Sequence, residues 1–414
     1  MIRRLLRSAI PAIFLLSPFV RADGPLRSIV VFGNAKTERK TVLQIVNVEP
    51  RSYVDKKLLT TIDDRLANSG LFKTVKVSSR DNPDGTTDVR INVEEKQLWF
   101  AFPIVQAWSG RYSFGGAFGE SNLILSNART LLAFQAGNQL NRFFYAIDAK
   151  NINQSDWSLR MWTMAKEDNI PLYDGGSTQV DAIDNKEYAV SVGPGYQWTN
   201  EIRTTYTIAY KFIDYGSSPR VDLSDTTGND VSMAFDFTYD SLKRRNGFVL
   251  GNLIRSGYEF SEPRFGSTYT YHSEYAEWVR GDKYWNFLNH VFYLKGEIGD
   301  NLPFHKEITL GGDSLRGFRE KQFRGDTKIY LRNDLLFSLF KVKWFTVFGS
   351  AFHDMGLLYF DEDNIDANSF NNGVGGGIRM SLSSVLAPVF GLDFGYGIEN
   401  QAWETIFALG LVGF

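Results

Sequence analysis

Beyond Lys96 the chain repeats one pattern to its end: apolar or aromatic residues alternate with small or polar ones at a period of two. In Val231-Ser232-Met233-Ala234-Phe235-Asp236-Phe237-Thr238-Tyr239-Asp240 every odd position is apolar or aromatic and every even one small or polar. The same alternation runs through 112–118, 157–165, 202–212 and 405–411, separated by turn residues such as Asp174-Gly175-Gly176 and Asn371-Asn372-Gly373. A period of two puts successive side chains on opposite faces of a strand. A long series of strands with one apolar and one polar face suits lipid on the first and water on the second. About sixteen such segments, at roughly ten residues per spanning strand, fit the available length with short connections. The pattern predicts a mainly β chain whose residues 97–414 form a transmembrane antiparallel barrel of about 16 strands.

A soluble β-sandwich would also alternate. It would not place Trp, Tyr and Phe near strand ends, as the interface girdles of a barrel require. The aromatic content of 15% and the 37 glycines exceed the needs of an average globular domain, while the charged fraction of 22% is ordinary. A net charge of −2 offers no basic excess to draw nucleic acid. The absence of cysteine excludes disulfides, thiolate metal sites, Cys nucleophiles and lipid attachment at an N-terminal Cys.

The first residues carry Arg3, Arg4 and Arg7, an apolar stretch over 9–20, and Val20-Arg21-Ala22 before Asp23. These are the three parts of a secretory signal, residues 1–22, with cleavage expected after Ala22. The stretch is too short for a spanning helix of about 20 residues.

Residues 25–96 read differently. A β-branched strand over 28–32 ends at Gly33-Asn34, and helical spacing follows over 37–46, with Pro50 as a breaker. A second helix over 55–68 carries Leu58, Ile62 and Leu66 at intervals of four, with Gly70 expected as its cap. Two alternating segments, 73–79 and 88–93, flank Asn82-Pro83-Asp84-Gly85 and read as a hairpin. The order is β-α-α-β-β. With Val31-Phe32-Gly33-Asn34, Ser69-Gly70-Leu71-Phe72-Lys73-Thr74-Val75 and Val93-Glu94-Glu95 in sequence, the segment resembles a POTRA domain, the periplasmic polypeptide-binding unit of outer-membrane assembly factors.

Late in the barrel region, Leu310-Gly311-Gly312-Asp313-Ser314-Leu315-Arg316-Gly317-Phe318 sets one Arg in a glycine-rich turn. Two downstream strands offer carboxylates, in Leu331-Arg332-Asn333-Asp334 and Phe352-His353-Asp354-Met355-Gly356. With the POTRA-like segment, these motifs resemble the outer-membrane assembly factor superfamily, whose barrel is the bacterial surface antigen domain and which includes BamA, TamA and the two-partner secretion translocators. Further matches are Gly119-Glu120-Ser121-Asn122-Leu123, Tyr239-Asp240 before Asn246-Gly247, and Arg332-Asn333-Asp334.

The resemblance implies that a loop near 309–325 folds back into the barrel. Arg316 is then its tip cation, Gly317 permits the close turn, and Phe318 packs on the wall. Asp354 and Asp334 are the implied partners, Asp334 standing where the family more often has Glu. An Arg suits such a position because its planar fork bonds two carboxylates at fixed geometry. The resemblance also implies that the edge strand carrying Lys73, Val75, Val77 and Ser79 binds extended polypeptide. Phe407, Leu409 and the terminal Phe414 resemble the signal that outer-membrane barrels present for their own insertion.

Catalysis finds little support in the sequence. His272, His290, His305 and His353 are scattered without ligand spacing, and each reads as a lumen or interface residue. Ser314 lacks the strand-turn-helix setting of a nucleophile elbow. Asp361, Glu362 and Asp363 read as an exposed loop. The stretch Gly373-Val374-Gly375-Gly376-Gly377 has no following Lys-Ser/Thr and reads as a closely approached strand, not a phosphate loop. No cofactor and no metal are expected.

The expected function is an outer-membrane assembly or translocation pore. Its partners would be unfolded outer-membrane or secreted polypeptides, membrane lipid and accessory assembly proteins, and a seam between strands near 98–107 and 405–414 would receive the client. Two alternatives stand beside it. A two-partner-secretion translocator usually brings two POTRA domains, whereas one fits here; a passive channel explains neither the POTRA-like segment nor a loop that obstructs diffusion.

Overall fold

A computed structural model describes residues 24–409 apart from 70, 96–98, 109, 122–127, 150, 151, 153, 154, 175, 222–225, 246, 247, 343, 344, 361–368 and 383–387. The signal segment, Gly70, Asn246-Gly247, Asp361–Asp363 and Phe414 lie outside the described residues. The chain divides into a small unit, ending at Ala67 and rejoined by Thr74–Glu94, and a large one of Asn68–Lys73 with everything from Glu95 on.

In the small unit β1 (Gly24–Phe32), α1 (Arg39–Val46), β2 (Tyr53–Val54), α2 (Lys56–Asn68), β3 (Phe72–Asp81) and β4 (Thr87–Glu95) follow in order. The sheet runs β2-β1-β4-β3, with β1 and β4 parallel. Strict alternation along β4 buries Val89, Ile91 and Val93, and the helices supply Val42, Val46, Ile62 and Leu66 to the same core. The Asp55 carboxylate accepts the Leu58 N–H at 2.6 Å and opens α2 as an N-cap. Asn47, with φ of 41°, ends α1 before Pro50 is reached. The two-residue β2 has no pattern long enough to find in the sequence. Gly33 has φ of 86°, and any Cβ there would meet the Val93 carbonyl at 1.9 Å.

Asp88 joins β4 to the rest of this sheet. Hydrogen bonds from Ser28 (2.6 Å) and then Asn82 (3.1 Å) hold its carboxyl below the usual carboxylate range. A depressed folded-state value stabilises the fold above the unfolded value of about 3.9 and is lost as pH falls through the folded value. Acidification below about pH 4 should therefore lower the amide protection of β1 and β4, taken relative to the intrinsic exchange rate at each pH. Ser28→Ala should blunt that acid dependence; an unchanged pH profile in the variant would count against the linkage.

The large unit is a closed barrel of 16 strands. They are β5 (Trp99–Trp108), β6 (Arg111–Ser121), β7 (Ala128–Gly137), β8 (Leu140–Ala149), β9 (Trp157–Tyr173), β10 (Gln179–Gln197), β11 (Ile202–Tyr215), β12 (Thr227–Asp240), β14 (Phe248–Ser261), β15 (Tyr271–Tyr284), β16 (Leu288–Asp300), β19 (Thr327–Lys341), β20 (Phe345–Tyr359), β21 (Asn371–Leu382), β22 (Pro388–Gly397) and β23 (Ala402–Leu409). Three short strands complete the unit: β13 (Lys243–Arg245) pairs with the start of β14, while β17 (Ile308–Leu310) and β18 (Phe323–Gly325) form a separate ribbon.

The period of two assigns the faces. Along β10, Asn185, Glu187, Ala189 and Ser191 are buried toward the lumen, while Tyr188, Val190 and Val192 are exposed on the outside. Trp157, Tyr196 and Trp198 stack edge to face at one rim, at 5.3 and 4.8 Å, as a girdle should. The lumen is less watery than alternation alone suggests. Leu242, Val249, Val279, Val291, Leu336 and Phe348 pack inside as one apolar cluster, and Ile170, Leu172, Ile183, Ile213, Tyr215, Tyr269, Tyr271 and Phe304 as another.

Two expectations need correction. Asn371-Asn372-Gly373 is not a turn but the first part of β21, with Gly373 opposite Gly397 and Asp354. Turn-forming residues stand there because Asn372 bonds the Glu399 carboxylate and Gly373 admits another backbone. Nor are the strands uniformly ten residues: β9 and β10 reach 17 and 19, paired along their length, whereas β23 has 8.

Candidate functional site

The connection between β16 and β19 enters the barrel. Its ribbon of β17 and β18 carries a turn in which the Ser314 hydroxyl donates to the Gly311 carbonyl at 2.8 Å and accepts the Gly311 N–H at 3.1 Å, so Ser314 closes the turn. Leu310, Leu315 and Phe318 are buried with Tyr330 of β19, and the Phe318 ring lies 5.5 Å from that of Phe323. This apolar packing fixes the loop so that Arg316, 1% exposed, points into the wall.

Arg316 is bidentate to Asp354, with Nε to Oδ2 and Nη2 to Oδ1 both at 2.7 Å, and its backbone N–H adds a bond to Oδ2 at 3.1 Å. Nη1 reaches Asp334 at 2.9 Å and Asp393 at 3.4 Å. The guanidinium carbon sits 3.5 Å from the Phe352 ring centroid, a cation–π contact. Two wall cations complete the cluster: Arg332 holds Asp334 at 2.5 Å, and Arg379 holds Asp393 at 3.0 Å and Asp334 at 3.4 Å. Three guanidinium groups thus face three carboxylates.

The strand period explains the motifs. In Phe352-His353-Asp354 the ring and the carboxylate share the lumen face and His353 points outward; in Arg332-Asn333-Asp334 the ion pair faces in and Asn333 out. Glycines then let the loop backbone reach the wall. A Cβ at Gly373 would lie 1.8 Å from the Arg316 carbonyl oxygen, and one at Gly395 2.5 Å from the Gly317 nitrogen. Gly317 itself has φ of 98° and no room for a side chain beside Tyr396 and Gly397. The sequence reading of Gly373–Gly377 as a closely approached strand holds at Gly373.

Further ties reach other parts of the wall. Glu320 pairs with Arg111 of β6 at 3.0 Å, Arg319 with Glu404 of β23 at 3.5 Å, and Lys321 with Asp168 of β9 at 3.2 Å. His305 bonds Asp230 of β12 at 3.1 Å, and Lys306 bonds Glu259 of β14 at 2.5 Å. Contacts on β6, β9, β12, β14, β20 and β22 mean that the connection spans the lumen. A cavity of about 270 Å³ remains beside it, lined in part by Arg160, Lys211, Asp236, Glu259, Tyr275 and Lys306.

Asp393 and Arg379 were missed in the sequence. Their signal was a lone charge on a glycine-lined inward face, Gly391-x-Asp393-x-Gly395 and Gly375-x-Gly377-x-Arg379. Of the other histidines, His272 lies 3.6 Å from Asp300, while His290 and His353 bond Asn333 and Asn372 at 3.2 and 3.3 Å. Among the described residues no group of His, Asp and Glu is arranged to hold a metal.

Two other predicted features contribute no side chain to the cluster. Val75, Val77 and Ser79 are half-buried and Lys73 is exposed on β3, the edge strand of its sheet. At the barrel seam, Ile406, Phe407, Ala408 and Leu409 of β23 stand opposite Trp108, Ala107, Gln106 and Val105 of β5. These four are the seam pairs among the described residues; residues 402–405 lie past the end of β5 and pair with β22.

Comparison with known families decides the classification. Residues 128–407 match the Omp85 superfamily domain, two thirds of the chain, and residues 25–96 match the POTRA family described as a surface antigen variable number repeat. The chain belongs to the Omp85 superfamily. This Omp85 protein is similar in fold to BamA from Haemophilus ducreyi lacking POTRA domains 1–3, at 15% identity over 94% of this chain and 84% of that one, with a TM-score of 0.59. CdiB from Acinetobacter baumannii aligns at 12% identity over 94% and 74% of the two chains with a TM-score of 0.62. CdiB from Escherichia coli aligns at 13% over 97% and 93% with a TM-score of 0.56. No curated protein sequence matches significantly.

Omp85 barrels are non-enzymatic transport and assembly proteins of the outer membrane, with POTRA domains in the periplasm. Since POTRA domains of Omp85 proteins are periplasmic, β5 is counted as starting at the periplasmic end. Counting alternate strands then puts the β16–β19 connection at the extracellular end and the turns after β12, β15 and β19 at the periplasmic end.

Proposed function

We propose that this Omp85 protein is a polypeptide assembly factor that receives unfolded clients at its POTRA domain and passes them to the barrel seam. The observation that carries this reading is the register at the seam: Ile406 stands opposite Trp108, and among the described residues Ala402 and Trp403 are laddered to β22 and not to β5, so β23 begins with a segment bonded on one side. A strand segment bonded on one side offers main-chain hydrogen bonds to an incoming strand. The POTRA edge strand β3, carrying Lys73, Val75, Val77 and Ser79, offers the same kind of edge in the periplasm. The loop that spans the lumen disfavours a passive channel, since it fills the path that a solute would take.

A seam disulfide tests the proposal. Ala107 and Phe407 are register partners, and the chain has no cysteine, so Ala107→Cys with Phe407→Cys yields one unambiguous crosslink. Oxidation in cells should halt delivery of clients and reduction restore it, read by quantitative proteomics of the outer membrane and the secreted fraction. Depletion of several barrels would identify an insertase; loss of one secreted protein, a dedicated translocator. Normal fractions with the seam fully crosslinked would overturn the proposal.

A further inference from the structure

A proline stands in the middle of β5, one of the two strands that meet at the seam. Proline has no N–H, so within a sheet it belongs at the first residue of a strand, at a bulge or on an edge. β5 starts at Trp99, and its register to β6 runs unbroken from Trp99 opposite Glu120 to Trp108 opposite Arg111, so Pro103 is neither a first residue nor part of a bulge. Nor does its ring fill space. With Ala101 and Gly116 it leaves a hollow of about 360 Å³ on the outer face, beside Phe118 and Phe134.

Alternation decides which neighbour meets the missing donor, because the N–H and C=O of one residue in an antiparallel strand point to one side and those of the next residue to the other. The Tyr112 carbonyl accepts the Asn138 N–H at 3.2 Å, so the main chain of Tyr112, Phe114 and Gly116 faces β7. Gly116 stands opposite Pro103, which therefore turns its nitrogen away from β6 and toward β23. The strands on the other side of the seam agree. The Asn372 carbonyl accepts the Ile398 N–H at 2.8 Å, which aims Asn372, Val374 and Gly376 at β22 and leaves Gly391 and Asp393 facing β23. Phe407 and Leu409 then face β5, opposite Ala107 and Val105. Ala107 and Val105 are thus the seam-side donors of β5, and the next position in that series is Pro103.

Pro194 of β10 shows what such a position does to a ladder. The Trp198 N–H donates to the Ile202 carbonyl at 3.0 Å, so by the same alternation Pro194 faces β11. The β10–β11 ladder stops after Val192 opposite Ile208 and resumes in the same register at Gly195 opposite Thr205. β10 remains held there by its ladder to β9, which runs on through Pro194. In β5 the side that loses the donor is the seam itself. We infer that Pro103 fixes where the seam parts: Val105 and Ala107 keep the extracellular half of β5 latched to β23, and the periplasmic half, up to Pro103, is the edge presented to a client strand. This inference rests on the client route proposed above and adds its direction, with the seam opening from the periplasmic end.

The test follows amide hydrogen exchange of the full chain in phospholipid bilayers by mass spectrometry, alongside client delivery in cells. Pro103→Ala restores the donor, and one added hydrogen bond should slow exchange of the Val105 and Ala107 amides about threefold to tenfold while leaving β9 and β10 unchanged. Val105→Pro removes a second donor and should speed exchange at Ala107 by a similar factor. Delivery, read from the outer-membrane and secreted fractions, should fall with Pro103→Ala. Unaltered exchange at Val105 and Ala107 in that variant would overturn the inference. A slowing shared by β9 and β10 would overturn it as well, since it would mark a general stiffening of the barrel. Slower exchange confined to the seam, with delivery undiminished, would uphold Pro103 as the parting point and overturn instead the client route through the seam.

Discussion

Arg316→Ala should release the loop from the wall and abolish client delivery while leaving an inserted barrel. With Arg316 gone, Asp334, Asp354 and Asp393 face only Arg332 and Arg379, so a buried cluster of zero net charge acquires one uncompensated carboxylate. Removing one partner of such a buried network costs about 3–5 kcal/mol, and the stacking on Phe352 is lost as well. That corresponds to a shift of roughly a hundredfold to several thousandfold in the seated-to-released equilibrium. Lys should rescue poorly, because a point charge cannot keep the bidentate geometry to Asp354 and also reach Asp334. The measurements are protease protection of residues 308–325 in intact membranes and client abundance in the outer membrane. Full protection together with normal client levels would sink the assignment.

Gly373→Val should eject the same loop without touching any charge. Its Cβ would fall 1.8 Å from the Arg316 carbonyl oxygen, and neither backbone can yield: Gly373 is held in the ladders to β20 and β22, and Arg316 by its carboxylates. Overpacking a fixed contact costs about 1–3 kcal/mol, and a backbone-to-backbone clash belongs at the upper end. Because the chain lacks cysteine, Ser314→Cys provides a single reporter. Its labelling by an impermeant thiol reagent should be slow in the parent and roughly tenfold to a hundredfold faster with Gly373→Val. Equal rates would mean that the loop already leaves the wall freely. Together the two variants separate loss of charge from loss of fit.

The barrel was legible because its signal is distributed: period-two alternation recurs in nearly every segment, so an error at Asn371-Asn372-Gly373 does not disturb the architecture. The POTRA helices were legible from Leu58, Ile62 and Leu66, whereas two-residue β2 lies below any periodicity. Arg316, Asp334 and Asp354 could be named because they stand in dense motifs. Asp393 and Arg379 stand alone among glycines, and only the register of β21 against β22 brings them to Arg316. A reading in pairs therefore misjudges the cluster. Exchanging Arg316 with Asp354 would put a new carboxylate against Asp334 and Asp393, so the exchange should fail even though the two residues are in direct contact.

The loop also sets the electrical character of the pore that it fills. It brings Lys306, Arg316, Arg319 and Lys321 to carboxylates on the wall, and Glu320 to the wall cation Arg111. Once the loop withdraws, Asp168, Glu259, Asp354 and Glu404 lose these counter-ions together. The emptied lumen then presents those carboxylates to whatever passes, and at these positions cations and basic stretches of an extended chain are favoured until the loop returns.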